Sequence, residues 1–93
     1  MYIYVIGNDK DKQKIGFSKE PEKRLKSLQT GNSDKLILHH MIECPDSNIR
    51  KLEQKLHKEL SYKKLKGEWF SMSPKDAVEY IEFARITWAD KNL

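Results

Sequence analysis

Two short β-rich segments joined by a polar connection constrain the fold of this chain most. Residues 2–6 are aromatic or β-branched throughout, and residues 14–18 resume strand character. The connection at 7–12 is rich in Gly, Asn, Asp and Lys, which are turn-forming or solvent-exposed residues. This arrangement predicts an antiparallel hairpin near the N-terminus.

The two faces of this hairpin differ in chemistry, because successive residues of a strand point to opposite sides of a sheet. One face is apolar and consists of Ile3, Val5, Ile15 and Phe17. The other face carries Tyr2, Tyr4, Lys14 and Gly16. The second face therefore places a phenol and an amine close to a residue without a side chain.

The segment after the hairpin predicts a helix and then a third strand. Ser18 can cap this helix, and Pro21 is tolerated only in the first turn, so the helix runs from there to about Gln29. Residues 36–44 form a third strand by composition, which Pro45 ends.

A long second helix follows, capped by Asp46 or Ser47. Its apolar residues recur at spacings of three and four over 49–60, as one buried helix face requires. Glu53 and His57 flank this stripe on the same side, four residues apart, so they face each other.

A short strand at 67–72 precedes a last helix at about 74–88, for which Ser73 is a suitable cap. The element order is β-β-α-β-α-β-α. It predicts one α+β domain over 1–93, with a mainly antiparallel three-stranded sheet, a β-β-α-β-α core within 2–72, and the short strand and last helix added to it.

Composition narrows the class of partner and compartment. Eighteen Lys and Arg against fourteen Asp and Glu give a net charge of +4, which is typical of nucleic-acid-binding domains and also of ordinary solvated surfaces. Cys44 is the single cysteine, which excludes an intrachain disulfide and a cysteine-based zinc site. With no leader-like start and no long apolar stretch, we expect a cytoplasmic protein without membrane contact.

Four polar residues lie in short segments that suit a phosphodiester-cleaving site. Tyr4, Lys14 and Arg24 are ten residues apart, enough for a hairpin turn and then a strand-to-helix turn. Arg24 lies at the edge of the apolar helix face, about 40° from Leu28 at roughly 100° per residue. Glu68 follows a glycine and precedes two aromatic residues.

These segments resemble the GIY-YIG nuclease superfamily, in particular its small phage and bacterial branch in which lysine replaces the second motif tyrosine. The resemblance extends over nearly the whole of 2–72. The matching pieces are Tyr2-Ile3-Tyr4, Lys14-Ile15-Gly16, Arg24, Gln29-Thr30-Gly31-Asn32, Leu56-His57 and Gly67-Glu68-Trp69-Phe70. Together they imply a β-β-α-β-α nuclease core, which agrees with the predicted order.

The resemblance implies a catalytic role for five residues. Glu68 is expected to bind one Mg²⁺ or Mn²⁺ ion, and Arg24 to pair with the phosphate. Tyr4 is expected to act as a general base or to orient water, with its pKa lowered by Lys14, which can instead contact phosphate. His57 is expected to deprotonate Tyr4 or to bind phosphate.

Further residues are candidates for substrate contact. Tyr2 shares the face of Tyr4 and competes with it as the catalytic phenol. Gly16 permits close approach of backbone, helix or substrate to the strand. A basic loop can contact the DNA backbone through Lys63, Lys64 and Lys66.

Ordinary structural roles compete with these assignments. Without the family resemblance, Glu68 would be interpreted as a solvent-exposed acid beside a core tryptophan. His57 would be interpreted as a boundary residue partnered by Glu53. Trp69 and Phe70 are interpreted as core residues rather than base-stacking groups, because they alternate in a short strand.

The sequence thus predicts a metal-dependent endonuclease that hydrolyses DNA phosphodiesters, nicking with low sequence specificity. No added DNA-reading motif is evident, so a protein partner or a homodimer is the expected source of any specificity. The alternative is a catalytically silent module of the same fold that binds nucleic acid or a protein. An incomplete motif set and the modest net charge favour that alternative: Tyr2 stands where many family members have glycine, Leu28 where some have histidine, and the family's late asparagine has no counterpart.

Overall fold

The computed structural model describes the backbone of residues 1–92 and the side chains of 1–45 and 49–87. It confirms the predicted α+β class and the element order. The elements are β1 (Tyr2–Gly7), β2 (Lys12–Ser18), α1 (Pro21–Gln29), β3 (Ile37–Glu43), α2 (Asp46–Glu59), β4 (Trp69–Ser71) and α3 (Pro74–Asn92). Within the described part of the chain, no helix combines the length and apolarity that crossing a membrane requires.

The strands form one antiparallel sheet in the order β3-β1-β2-β4, so the short fourth strand extends the edge of the sheet. Tyr4 pairs with Gly16, and Lys14 pairs with Ile6 on one side and with Trp69 on the other. Directly paired residues share a face. The predicted alternation is therefore confirmed, with the side chains of Tyr4 and Lys14 on one face.

The main apolar core lies on the opposite face, beneath α2 and α3. Ile3, Val5 and Ile15 contribute from the sheet. The helices contribute a larger set, which includes Ile49, Leu52, Leu56, Leu60, Ala77, Ile81 and Ala84. This two-helix cover explains the apolar stripe of α2.

Helix α1 covers the face that carries Tyr4, so this face is not the solvated side that its polar residues suggest. Tyr4 is 1% exposed and Lys14 is 7% exposed. A small second cluster joins Tyr4, Ile6 and Leu36 to Leu25, Leu28, Leu38 and Trp69. Leu25 and Leu28 of α1, together with Leu36, Leu38 and Trp69, therefore cover this face.

The helix caps follow the sequence only in part. Ser73 caps α3 as predicted, since its hydroxyl accepts the Asp76 N–H at 3.1 Å. Ser18 does not cap α1, because the cap position is Glu20, whose N–H donates to the Ser18 hydroxyl at 3.0 Å. The predicted caps of α2, at 46 and 47, lie outside the described side chains.

Strand β2 begins at Lys12, earlier than predicted. The Asn8 side-chain oxygen accepts the N–H groups of Lys10, Asp11 and Lys12 at 2.9–3.0 Å, which closes the connection tightly. Such Asx turns let a short polar segment reverse the chain.

Candidate functional site

The Tyr4 phenol lies directly over Gly16 on the neighbouring strand. A Cβ atom at Gly16 would come within 2.6 Å of the Tyr4 hydroxyl oxygen and 2.9 Å of Cζ. Those separations are far below van der Waals contact, so only glycine lets the ring cross β2 here. The close approach expected at Gly16 is therefore made by Tyr4 itself.

The side chain of Arg24 reaches from α1 toward the Tyr4 hydroxyl and acts on it electrostatically. Leu25 and Leu28 pack against the sheet cluster and hold this helix in place. Arg24 itself is exposed. Its guanidinium thus lies near the phenol and is open to solvent at the same time.

Burial raises the pKa of Tyr4 above its ordinary value of 10, and the neighbouring Arg24 opposes that rise. The expectation that Lys14 lowers the pKa of Tyr4 is wrong. The Lys14 ammonium is paired with Glu68, and the cation beside the phenol is Arg24. Tyr4 is a neutral phenol near neutral pH.

Lys14 and Glu68 form an ion pair at the rim of the site. Lys14 Nζ lies 2.7 Å from Glu68 Oε2, with side-chain exposures of 8% and 41%. The Lys14 ammonium also lies 5.9 Å from the ring centre of Trp69. Glu68 immediately precedes β4, and its carbonyl accepts the Ile15 N–H at 3.4 Å.

Strand β4 pairs with β2 only as far as Lys14, so the next residues of β2 need other hydrogen-bond partners. Helix α2 provides them. His57 Nε2 donates to the Ile15 carbonyl at 2.8 Å, and the Glu53 carboxylate lies close enough to the Phe17 backbone to be stabilised by it. Glu53 and His57 therefore serve the open edge of β2 rather than each other.

The contacts of His57 favour the structural interpretation of this residue. Besides its bond to Ile15, its ring packs edge-on against Phe70, with 5.0 Å between ring centres. The Nε2 atom is committed to the backbone, so it cannot take a proton from Tyr4 in this arrangement.

Glu53 is a member of the electrostatic neighbourhood that the sequence did not assign to the site. Its Oε2 atom is buried and, among the described residues, has no hydrogen-bond partner. Burial and the charge of Glu68 raise its pKa from 4.5 to about 7, while Lys14 partly opposes this rise. Its position beside His57 on α2 was visible in the sequence, but its proximity to Glu68 depends on the fold.

The structure thus brings together four of the five predicted catalytic residues on one face of the sheet. Arg24 and Glu68 both act electrostatically on the Tyr4 hydroxyl. Glu68 is paired with Lys14. The arrangement offers an exposed guanidinium, a neutral phenol and a carboxylate–ammonium pair around one point of the surface.

The predicted substrate contacts are more dispersed. Tyr2 lies on the same sheet face at the start of β1, paired with Ser18 and Glu43. Lys66 lines a cavity beside Trp69. The other two lysines of the basic loop lie elsewhere: Lys63 stacks on Tyr62, and Lys64 bridges to Phe70.

The carboxylates of this site fit a hard divalent cation. Glu68 is partly exposed and uses Oε2 for its ion pair, and Glu53 has an unpartnered oxygen. Mg²⁺ keeps several waters and commonly takes only one or two protein carboxylates. Within 1–45 and 49–87 no group of three or more His, Cys, Asp or Glu residues converges as a larger metal cage.

Comparison with protein families supplies an independent assignment. The model of the T5orf172 domain matches residues 1–85. This domain is found in phage and bacterial nuclease-like proteins and is related to the GIY-YIG-type fold. No match was found among curated proteins or among solved structures. The chain therefore belongs to the T5orf172 domain family.

Proposed function

We propose that this chain is a metal-dependent endonuclease of the GIY-YIG type, which hydrolyses phosphodiester bonds in DNA. One observation carries the proposal. Tyr4, Lys14, Arg24 and Glu68, which are distant in sequence, meet on one face of the sheet in a domain family of nuclease-like proteins.

Arg24 is proposed to bind the scissile phosphate. A guanidinium offers parallel N–H donors that match two phosphate oxygens and stays charged throughout the reaction. Its attraction to the Tyr4 hydroxyl restrains the side chain before substrate arrives. Less conformational entropy is then lost on binding than for a freely rotating arginine.

Tyr4 is proposed to orient the attacking water as a neutral phenol rather than to remove a proton as a base. The raised pKa of Tyr4 keeps its proton in place, and the ring is locked over Gly16. A hydroxyl both donates and accepts hydrogen bonds, so it can hold a water molecule in line with the phosphate.

Glu68 is proposed to hold one Mg²⁺ or Mn²⁺ ion, with water and phosphate oxygens completing the coordination. Such an ion supplies Lewis-acid stabilisation of the leaving oxygen. Lys14, which pairs with Glu68 in the free protein, would then be released to place its ammonium against a phosphate oxygen. The ion pair keeps both groups within reach of substrate.

The whole chain has a modest net charge of +4 and folds as a small α+β domain. We therefore propose nicking with low sequence specificity, in the cytoplasm, with a homodimer or a protein partner supplying any further selectivity. Contacts to the phosphate backbone carry no sequence information by themselves.

Nicking of supercoiled plasmid in Mg²⁺ or Mn²⁺ tests the proposal. We expect wild type to convert plasmid to the open-circular form, and Glu68→Gln to lose this activity by about 100-fold or more. Glu79→Gln is the matched control, because Glu79 is exposed on α3 and outside the site. Circular dichroism confirms that all variants are folded.

Absence of nicking by folded wild type, or equal nicking by Glu68→Gln, contradicts the proposal. Salt-sensitive DNA binding without nicking would then support the alternative, a catalytically silent module.

A further inference from the structure

A cavity of about 290 Å³ opens beside the candidate site, on the sheet face that carries Tyr4 and Lys14. Its floor is apolar and includes Leu36 and Trp69. Its rim carries Lys12 and Lys66, both exposed. The volume lies near the lower end of small-molecule sites, roughly 300–1,000 Å³, and suits a flat group no larger than one base.

One wall of this cavity is the loop between α1 and β3, which a single glutamine holds in shape. Gln29 Nε2 donates to the Asp34 carbonyl at 2.8 Å and to the Asn32 carbonyl at 3.3 Å, while Oε1 accepts the Leu36 N–H at 2.8 Å. Asn32 Oδ1 also accepts the Asp34 N–H at 2.9 Å. The wall is therefore preorganised, and the Gln29-Thr30-Gly31-Asn32 segment gains a structural explanation.

The carboxylate of Asp34 is positioned by a side chain from the β1–β2 connection. Asn8 Nδ2 donates to Asp34 Oδ2 at 3.2 Å. Asn32 and Asp34 both line the wall, and Asp34 lies at the boundary with a neighbouring cavity that Asn8 lines.

The opposite wall is the turn before β4. The backbone N–H of Leu65 donates to the Trp69 carbonyl at 2.9 Å, and the backbone N–H of Trp69 donates to the Lys66 carbonyl at 3.1 Å. Gly67 permits this turn with a φ of +61°. Phe70 is fully buried in the main core, as predicted, whereas Trp69 is half-buried and lines the cavity.

We propose that this cavity binds an unpaired nucleobase of the strand whose phosphate lies at the candidate site. The location of that phosphate rests on the proposed function. Trp69 lies between the cavity and the candidate phosphate position, since it lines the cavity and its ring centre is 5.9 Å from the Lys14 ammonium that pairs with Glu68. A nucleotide next to the bound phosphate can therefore place its base against Trp69.

The lining has the chemistry that base recognition requires. Aromatic rings stack on bases, and flanking lysines attract the backbone on either side. The Asp34 carboxylate accepts hydrogen bonds, so it suits the amino group of cytosine. It disfavours a phosphate in the cavity itself, which separates the base position from the phosphate position.

Binding of a short fluorescent oligo(dC), measured by anisotropy in EDTA, tests the subsite without requiring catalysis. An abasic oligonucleotide of equal length keeps the phosphates and removes the bases. We expect wild type to prefer oligo(dC) over the abasic chain, and Trp69→Leu to lose this preference by roughly 5- to 100-fold, the effect of one stacked base.

Tyr62→Leu is the matched control, since Tyr62 is 78% exposed and lines a different cavity with Leu60 and Met72. It should keep the preference for oligo(dC). Ser33→Glu tests the cavity without touching the core, because Ser33 is exposed on the rim. It should reduce the preference for oligo(dC) over the abasic chain, and it does so even if Trp69→Leu does not fold.

A preference for oligo(dC) that survives in folded Trp69→Leu or in Ser33→Glu overturns the subsite, whatever the plasmid assay shows. Equal binding of both oligonucleotides by wild type overturns it as well. A Trp69-dependent preference in a protein that does not nick plasmid supports the subsite and contradicts only the nuclease proposal.

Discussion

The two faces of the sheet differ in what covers them and in what they bury. Beneath α2 and α3 lies an extended apolar cluster with residues such as Ile3, Val5 and Ile81. Beneath α1 lies a small cluster in which a phenol and an ammonium are nearly inaccessible to water. The first face is mainly apolar but includes polar pairs such as His40 with Glu82 of α3, whereas the second depends on the Lys14–Glu68 pair and on Arg24 beside the Tyr4 phenol.

This contrast indicates that one sheet face supplies mainly stability and the other supplies mainly oriented polar groups. Apolar burial stabilises in proportion to the area removed from water, so the α2/α3 face holds most of the folding free energy. Buried polar groups stabilise little and need good geometry. The α1 face therefore gives up stability in exchange for oriented charges near Tyr4.

The largest expected effect is on the free energy of unfolding, for a substitution on the sheet face beneath α2 and α3. Ile81 is 1% exposed in the main core, and Ile81→Ala should lower the free energy of unfolding by about 2–5 kcal/mol. Urea denaturation measures this change. Ile86→Ala on the same helix is the control, because Ile86 is 53% exposed and should change stability by less than about 0.5 kcal/mol. Reduced nicking by the folded fraction of Ile81→Ala would contradict the assignment of stability to the α2/α3 face and of activity to the α1 face.

Gly16→Ala should affect both stability and activity. The new Cβ would displace the Tyr4 ring, which costs about 1–3 kcal/mol of overpacking and reduces nicking by about 100-fold through misplacement of the hydroxyl. Adding Tyr4→Phe removes the closest atom and should restore part of the stability but not the activity. Full nicking by Gly16→Ala would show that the seating of Tyr4 is unimportant.

Arg24→Lys should reduce activity with little change in stability. Lysine cannot make the paired hydrogen bonds of a guanidinium, and a bond to a charged group is worth about 1.5–3 kcal/mol, or roughly 10- to 100-fold in rate. Arg24 is exposed, so the melting temperature should barely move. Arg85→Lys on α3 is the control for this exchange, and equal rates for both variants would remove Arg24 from the site.

Glu53→Gln should have the smallest effect of the four substitutions. It should change how the free energy of unfolding depends on pH. With the pKa of Glu53 raised to about 7, the folded chain holds a proton that the unfolded chain releases above about 4.5. Stability is therefore lost as pH rises from about 4.5 to 7 and is constant above that range. Glu53 is partly exposed, so after screening the loss is about 1–2 kcal/mol.

Urea titrations of metal-free protein at pH 5 and pH 8 measure this dependence. Glu53→Gln should flatten the difference and stabilise the chain at pH 8. Glu79→Gln, which changes an exposed acid, should retain the slope of wild type. An unchanged slope in Glu53→Gln would assign the pH dependence to other groups.

The sequence predicted what depends on local periodicity. Strand alternation placed Tyr4 and Lys14 on one face, and the register of β1 with β2 confirms it. The spacing of apolar residues predicted α2 and its buried stripe. These inferences involve neighbours within one or two elements, where geometry leaves few alternatives.

Features that join distant elements could not be read in the same way. The Lys14–Glu68 pair and the His57 bond to Ile15 depend on where β4 ends against β2. The cavity beside Trp69 depends on a loop whose shape Gln29 determines. Periodicity carries no information about these contacts, since each depends on the packing of elements that are far apart in sequence.

The candidate catalytic groups are distributed over separate elements. Tyr4 lies on β1, Lys14 on β2 and Arg24 on α1, and Glu68 precedes β4. A partly folded chain that has closed the hairpin but has not docked α1 and β4 therefore possesses no complete site. Under the proposed nuclease function, only fully assembled molecules would cleave, and chains that are still folding would leave nucleic acid intact.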